Sequence, residues 1–195
     1  KLGYKAVMSH EYEFFVLDRE TRQPFFDGVH IFNNLRNEQL PVIREAVDYL
    51  RAAGIPILTA NAEYAPSQFE LVYSHIEGMA GADNAYTFKN GLKEIVHQAG
   101  QIATFMTKPF AGNAGSGCHY HLSLLHKKGG GVFIDKSDPD KMSDTLRYFV
   151  QGIIDHGAAC MALFNPTPNC YRRLRPHTFA PSNISWGEED RSAMV

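Results

Sequence analysis

The sequence predicts an α+β fold built on a largely antiparallel sheet, and two observations carry that prediction. Strand-like stretches are broken by amphipathic helices, yet the strands join by hairpin-like turns and no βαβ rhythm repeats, which disfavours a parallel sheet. The 195 residues are 44% hydrophobic, enough to bury a core of domain size. One domain over residues 1–195 is expected, without internal repeat, low-complexity tract or linker.

The elements follow in order. YKAVMSHEYEFFVLD alternates and is rich in aromatic and branched residues, so it reads as a strand pair or one long strand, and DRETRQPFFDG as a loop. In NEQLPVIREAVDYLRAAG, Leu40, Ile43, Val47 and Leu50 recur at helical spacing, Pro41 suits a first turn and Gly54 a C-cap. IPILTANAEYAPSQFELVYS carries two short strand-like runs around Pro66. The next helix sets Ala85, Phe88, Leu92 and Ile95 on one face and ends at Gly100, and the strand IATFM follows. GCHYHLSLL and VFID are expected to pair across the turn HKKGGG, and a third helix is expected from Pro139 to Leu163. The Pro- and Arg-rich tail after it has neither period.

Composition excludes several classes. A formal charge of −2, from 19 basic and 21 acidic residues with no basic run, gives nucleic acid no electrostatic footprint. No apolar run approaches the ~20 residues that span a bilayer, so no membrane is expected as a partner. Cys118, Cys160 and Cys170 are odd in number and lack CxxC spacing, which fits a reducing, cytoplasmic location. The first residues, KLGYKAVMSHEYEFF, lack both an initiator methionine and the charged-then-apolar order of a signal peptide, so a piece of a longer protein is expected.

Chemistry concentrates in acidic and histidine pairs. Residues two apart on a strand share a face, so Glu11 projects with Glu13, and His119 with His121. Glu63 and Glu70 flank the Pro66 turn in an apolar setting, where carboxylates need partners. Converging carboxylates repel by ~4 kcal/mol at ~4 Å with an effective dielectric of ~20, so protons, arginines or cations must offset them. The plainer alternative puts Glu11 and Glu13 on the wet face of an edge strand and pairs both histidines with backbone groups. His-x-His beside Cys118 also resembles half of a zinc site, but glutamate oxygens suit Mg²⁺ or Mn²⁺ better. GNAGSG is no phosphate-binding P-loop, since no Gly-Lys-Ser/Thr follows. In the tail, Arg172, Arg173, Arg175 and Arg191 supply planar forks that match carboxylate or phosphate, or else a solvated surface.

Taken together, EYEFF, NAEYAPSQFE, ATFMTKPFAGNAGSGCHYHLSL and NPTPNCYRRLRPHTFAPSNISWGEEDRSA resemble the catalytic domain of the glutamine synthetase family, in the right order over almost the whole chain. The resemblance implies a sheet curved into a half-barrel and a homo-oligomeric ring whose active sites are shared between neighbours. It implies that Glu13, Glu63 and Glu70 hold one divalent cation and that Glu11 and His119 hold a second, Mg²⁺ or Mn²⁺ in each case. By the same resemblance His121 and Ser123 face ATP, Arg173 holds the amino-acid substrate, Arg191 faces the transferring phosphoryl group, and the backbone at Gly115 lines the substrate pocket. The implied activity is an ATP-dependent ligase that joins the glutamate side-chain carboxylate to ammonia or a primary amine through an acyl phosphate.

The chain departs from the family pattern in three places. Phe179 stands where ammonia-using relatives carry a glutamate before Ala-Pro, which favours an alkyl or aryl amine acceptor. Ala114 stands where they tend to have asparagine. The family also has a small N-terminal domain and, beyond the position of Val195, a further glutamate ligand and more arginines. The competing readings are a noncatalytic relative serving assembly and a phosphoryl transferase of guanidino-kinase type. The gathered carboxylates and the His-x-His pair speak against both.

Overall fold

The computed structural model describes residues 2–29, 31–176 and 178–195. Its elements are β1 (Tyr4–Asp18), α1 (Asn34–Gln39), α2 (Pro41–Ala52), β2 (Ile57–Ala62), β3 (Gln68–Tyr73), β4 (Ile76–Glu77), α3 (Ala80–Gln98), β5 (Gln101–Thr104), β6 (Cys118–His126), α4 (Asp144–Phe164) and α5 (Pro168–Arg173). Mixed strands and helices around an open antiparallel sheet bear out the α+β expectation. The chain divides into two compact units, Val7–Leu122 and Lys1–Ala6 with Ser123–Val195.

In the first unit, β1 is a single long strand and the hub of the sheet. It pairs with β3, β4, β5 and β6, while β2 extends the sheet beyond β3. The β1–β3 register places Glu13 opposite Glu70 and Phe15 opposite Gln68. Alternation then sorts the side chains by face. Phe14 and Val16 of β1, with Phe69, Leu71 and Tyr73 of β3, enter one core against Ile43 and Leu50 of α2 and Phe88, Leu92 and Val96 of α3. Tyr12 stacks on Phe88, with ring centroids 5.1 Å apart. Each such buried aromatic or aliphatic side chain contributes about 1.5–3 kcal/mol relative to exposure. The opposite face carries Glu11, Glu13 and Glu70, and beyond them the smaller cluster of Phe15, Leu17 and Ala65.

The helices end where the sequence indicates. Pro41 opens α2, and the N–H groups of Gly54 and Ile55 return to Arg51 O and Leu50 O at 3.0 and 2.9 Å. That is the double bond of a Schellman cap, and it needs the left-handed φ of 89° that Gly54 adopts. Packing selects a slightly different stripe on α3 from the one read in the sequence. Phe88, Leu92 and Val96 are buried, and Ile95 sits at the core's margin.

In the second unit the third helix starts at Asp144, five residues later than Pro139. Asp138 accounts for the delay, because its Oδ1 accepts from the N–H groups of Asp140 and Met142 and holds the intervening residues in a turn. Ser143 then caps the helix, its Oγ accepting from Leu146 N at 3.1 Å and donating to Val132 O at 2.6 Å. Replacing Ser143 by Ala is expected to cost about 1 kcal/mol, the usual worth of an N-cap, read as a lower midpoint of thermal unfolding. VFID does not form a strand. The return from HKKGGG still pairs briefly with β6, His126 N–H donating to Gly130 O at 2.9 Å and Val132 N–H to Leu124 O at 3.1 Å around the Leu125–Gly131 bridge, and a further isolated bridge joins Ile134 to Met142. The tail, which has no helical period, contains the short helix α5, opened by Pro168. Among the described residues no helix is long and apolar enough to cross a membrane.

Candidate metal and substrate site

The polar face of the sheet gathers six of the residues singled out in the sequence. Glu11 and Glu13 come from β1, Glu70 from β3, Glu63 from just beyond β2, and His119 and His121 from β6. Antiparallel pairing is what brings Glu13 and Glu70 together, since directly opposed residues on one face have Cβ atoms about 4.5–5.5 Å apart.

Glu11 is bonded to both histidines. His119 Nδ1 lies 2.8 Å from Glu11 Oε2 and His121 Nε2 lies 2.9 Å from Oε1. An ionised carboxylate only accepts, so each ring nitrogen facing it carries a proton. Burial alone would push the Glu11 carboxyl up, but the two imidazole hydrogen bonds outweigh it and hold Glu11 below its ordinary range. The His-x-His pair therefore shares one carboxylate.

Glu63 and Glu70 behave in the opposite way. Burial, reinforced by the charges of Glu13 and Glu70, pushes the Glu63 carboxyl up to about 7. Glu70, only 9% exposed, is raised by burial and then by Glu11 and Glu13. Glu63 and Glu70 thus resist ionising together, as partly buried neighbouring carboxylates do.

The donor set suits a hard divalent cation. Glu11, Glu70 and His119 each offer a ligand atom, and the three atoms lie within 4.8 Å of one another. Carboxylate oxygens with a single imidazole favour Mg²⁺ or Mn²⁺ over zinc, and no cysteine belongs to this group. The grouping cuts across the two ligand sets implied by resemblance, because Glu70 converges with Glu11 and His119 as well as neighbouring Glu13 and Glu63.

Glu13 is anchored differently. Its Oε2 accepts from Gly117 N at 2.9 Å and from Gln68 Nε2 at 3.1 Å, and its own N–H donates to Gly117 O at 3.2 Å. The glycine-rich run thus docks on Glu13, with Gly115 and Ser116 buried beneath. Three other residues that the resemblance singles out, Ser123, Arg173 and Arg191, belong to the second unit, Ser123 half-buried in β6, Arg173 half-buried at the end of α5, and Arg191 exposed in the tail. Gln68 and Ser116 escaped the reading of the sequence. The available signal was Gln68 itself, a polar residue two before Glu70 on the same face of an otherwise apolar strand.

An antiparallel sheet whose polar face gathers carboxylates and imidazoles offers a candidate cation site, and comparison with known proteins gives the family. The sequence model of "Glutamine synthetase, catalytic domain" matches residues 1–195. A glutamine synthetase of Thermotoga maritima is 40% identical, aligned over 100% of this chain and 45% of its own length. A glutamate–isopropylamine ligase of a Pseudomonas species is 31% identical over 98% of this chain and 44% of its own. Among solved structures, one described as the GmaS/ADP complex, conformation 1, superposes with a TM-score of 0.90 at 29% identity, covering 99% of this chain and 47% of that one. The chain belongs to the glutamine synthetase family, whose catalytic-domain model it matches from end to end. It spans a little under half the length of these relatives.

Proposed function

We propose that the protein is an ATP-dependent ligase that forms an amide between the side-chain carboxylate of glutamate and a primary amine. The observation that carries this reading is the convergence of Glu11, Glu70 and His119, whose ligand atoms lie within 4.8 Å of one another, beside Glu13 and Glu63, with Glu63 held up to about 7. A noncatalytic scaffold has no use for mutually repelling buried carboxylates.

In the first step the substrate carboxylate attacks the terminal phosphorus of ATP, ADP leaves, and an acyl phosphate forms. In the second, the amine nitrogen attacks the acyl carbon, phosphate leaves, and the nitrogen loses a proton. Two divalent cations, Mg²⁺ or Mn²⁺, would be held by Glu13, Glu63 and Glu70 and by Glu11 and His119, and when bound they neutralise charge on the phosphate oxygens. His121 and Ser123 serve the nucleotide. Arg173 pairs with the substrate's carboxylate, Arg191 meets the phosphoryl oxygens, and the backbone at Gly115 borders the substrate. The complete protein is taken to be a cytoplasmic homo-oligomeric ring, with this chain as part of its catalytic domain.

The preference for an amine over ammonia rests on Phe179. It is 76% exposed, and it stands where the family resemblance sets a glutamate that would attract ammonium. An aromatic ring instead offers an apolar wall to an alkyl group. The likeness to a glutamate–isopropylamine ligase supports the same choice. With Mn²⁺ or Mg²⁺, ATP and glutamate, the intact protein is expected to release phosphate only when an acceptor is added, and faster with short alkylamines than with ammonium. Absence of turnover across a panel of amines and ammonium would leave the noncatalytic assembly role standing.

A further inference from the structure

We propose that Gln68 is a positioning residue that locks the cation-facing carboxylate of Glu13 and the glycine-rich segment Gly115–Gly117 into one rigid unit. The inference rests on reading Glu13 as a metal ligand. Gln68 is 2% exposed, so its amide lies out of water and each of its polar atoms needs a protein partner. It finds them on three separate stretches of chain. Oε1 accepts from Ala65 N at 3.0 Å, in the turn that carries Glu63. Nε2 donates to Gly115 O at 3.0 Å and to Glu13 Oε2 at 3.1 Å, with Ser116 Oγ at 3.3 Å.

The amide's orientation is fixed by chemistry. Turned over, its oxygen would face the Glu13 carboxylate and the Gly115 carbonyl, acceptor against acceptor, and its NH₂ would face the Ala65 N–H. The backbone holds the same arrangement from behind. Ser67, in a left-handed conformation at φ 55°, accepts Phe25 N at 2.7 Å on its Oγ, and its carbonyl accepts Val16 N at 2.9 Å. The donors on Glu13 Oε2, Gly117 N and Gln68 Nε2, therefore come from two segments that Gln68 itself ties together. Moving the glycine run moves Glu13, and the reverse. A ligand carboxylate oriented by buried donors is preorganised for its cation, and outer partners of this kind are typically worth about 10–100-fold in metal affinity.

The test is a double-mutant cycle read by Mn²⁺ binding, with free Mn²⁺ followed by electron paramagnetic resonance. Gln68→Met keeps length and volume but removes both donors, and is expected to weaken Mn²⁺ binding about 10–100-fold in a chain that still unfolds cooperatively. In the Glu13→Gln background the same change is expected to alter affinity by less than about 3-fold, because its target carboxylate is already gone. A purely structural glutamine would weaken binding by the same factor in both backgrounds, and that multiplicative result overturns the proposal, as does unchanged affinity in Gln68→Met. Should Gln68→Met not fold, Gln68→Asn, polar but one methylene short of Glu13, carries the same expectation through the same cycle. Absence of Mn²⁺ binding by the unaltered protein sinks the metal reading itself and the role of Gln68 with it. Normal binding by the unaltered protein with no coupling sinks only the role of Gln68.

Discussion

Glu70→Gln is expected to weaken Mn²⁺ binding and, in the same molecule, to make the metal-free protein more stable. Glu70 sits opposite Glu13 in the β1–β3 register, and its ligand atom lies within 4.8 Å of those of Glu11 and His119, so in the proposed site its oxygens serve the cation directly. A neutral amide of the same shape is a poorer ligand. The loss should therefore reach at least about 100-fold, the upper end of what outer-sphere partners cause. Without metal the sign reverses. Burial and the charges of Glu11 and Glu13 disfavour ionised Glu70, and the amide removes that strain without leaving a cavity. Each ~1 kcal/mol of relief raises the unfolding midpoint by roughly 2–4 °C in a chain of this size. Calorimetric scans with chelator and with Mn²⁺, on both proteins, measure both signs. A variant that is less stable without metal and unchanged in affinity would mean that Glu70 is an ordinary structural carboxylate.

That opposition of signs is common where function is built on like charges, and it explains why local rules in the sequence pointed to this place. Period-two alternation was enough to put Glu11 with Glu13 and His119 with His121 on shared faces, because a strand's geometry depends on nothing distant. Which strand lies opposite which was beyond such reasoning. The Glu13–Glu70 pairing follows from the register of residues more than fifty positions apart, and one step of slippage would have turned Glu70 toward the Phe88 core. The imidazole pair was legible as a pair, but its shared partner was not: both rings bond Glu11, where resemblance had assigned one to metal and one to nucleotide.

Helix boundaries show the same division between local and distant causes. The end of α2 was readable because Gly54 alone provides the left-handed residue that its cap needs. The start of α4 was misplaced because Asp138 holds the intervening turn and Arg147, from within the helix, bonds that aspartate at 2.8 Å. Gln68 was missed for a related reason. Its importance lies in having partners at Glu13, Ala65 and Gly115, and a sequence displays a buried amide without displaying what it holds.

Mn²⁺ affinity is expected to climb steeply with pH up to about 7 and then to level off, while the metal-free protein loses stability over the same range. The carboxyl of Glu63 titrates ordinarily near 4.5 and is pushed up to about 7 in the folded chain, first by burial and then by Glu13 and Glu70. A group raised in this way favours folding fully below its unfolded value, and the benefit disappears as pH rises through its folded value. The metal-free protein should therefore lose stability from about pH 4.5 to about 7, with Glu70, shifted in the same direction, adding to the slope. Glu11 opposes this on the acid side, since its lowered carboxyl contributes stability that is lost as pH falls. In the proposed site Glu63 is a ligand and gives up to the cation the proton it keeps below 7, so each bound ion is expected to release protons there and affinity to rise by up to about tenfold per pH unit for each one released. Titration calorimetry in buffers of differing ionisation heat counts those protons. Affinity that is flat between about pH 5.5 and 7, with no proton released, would mean that Glu63 is already ionised and lies outside the cation's reach.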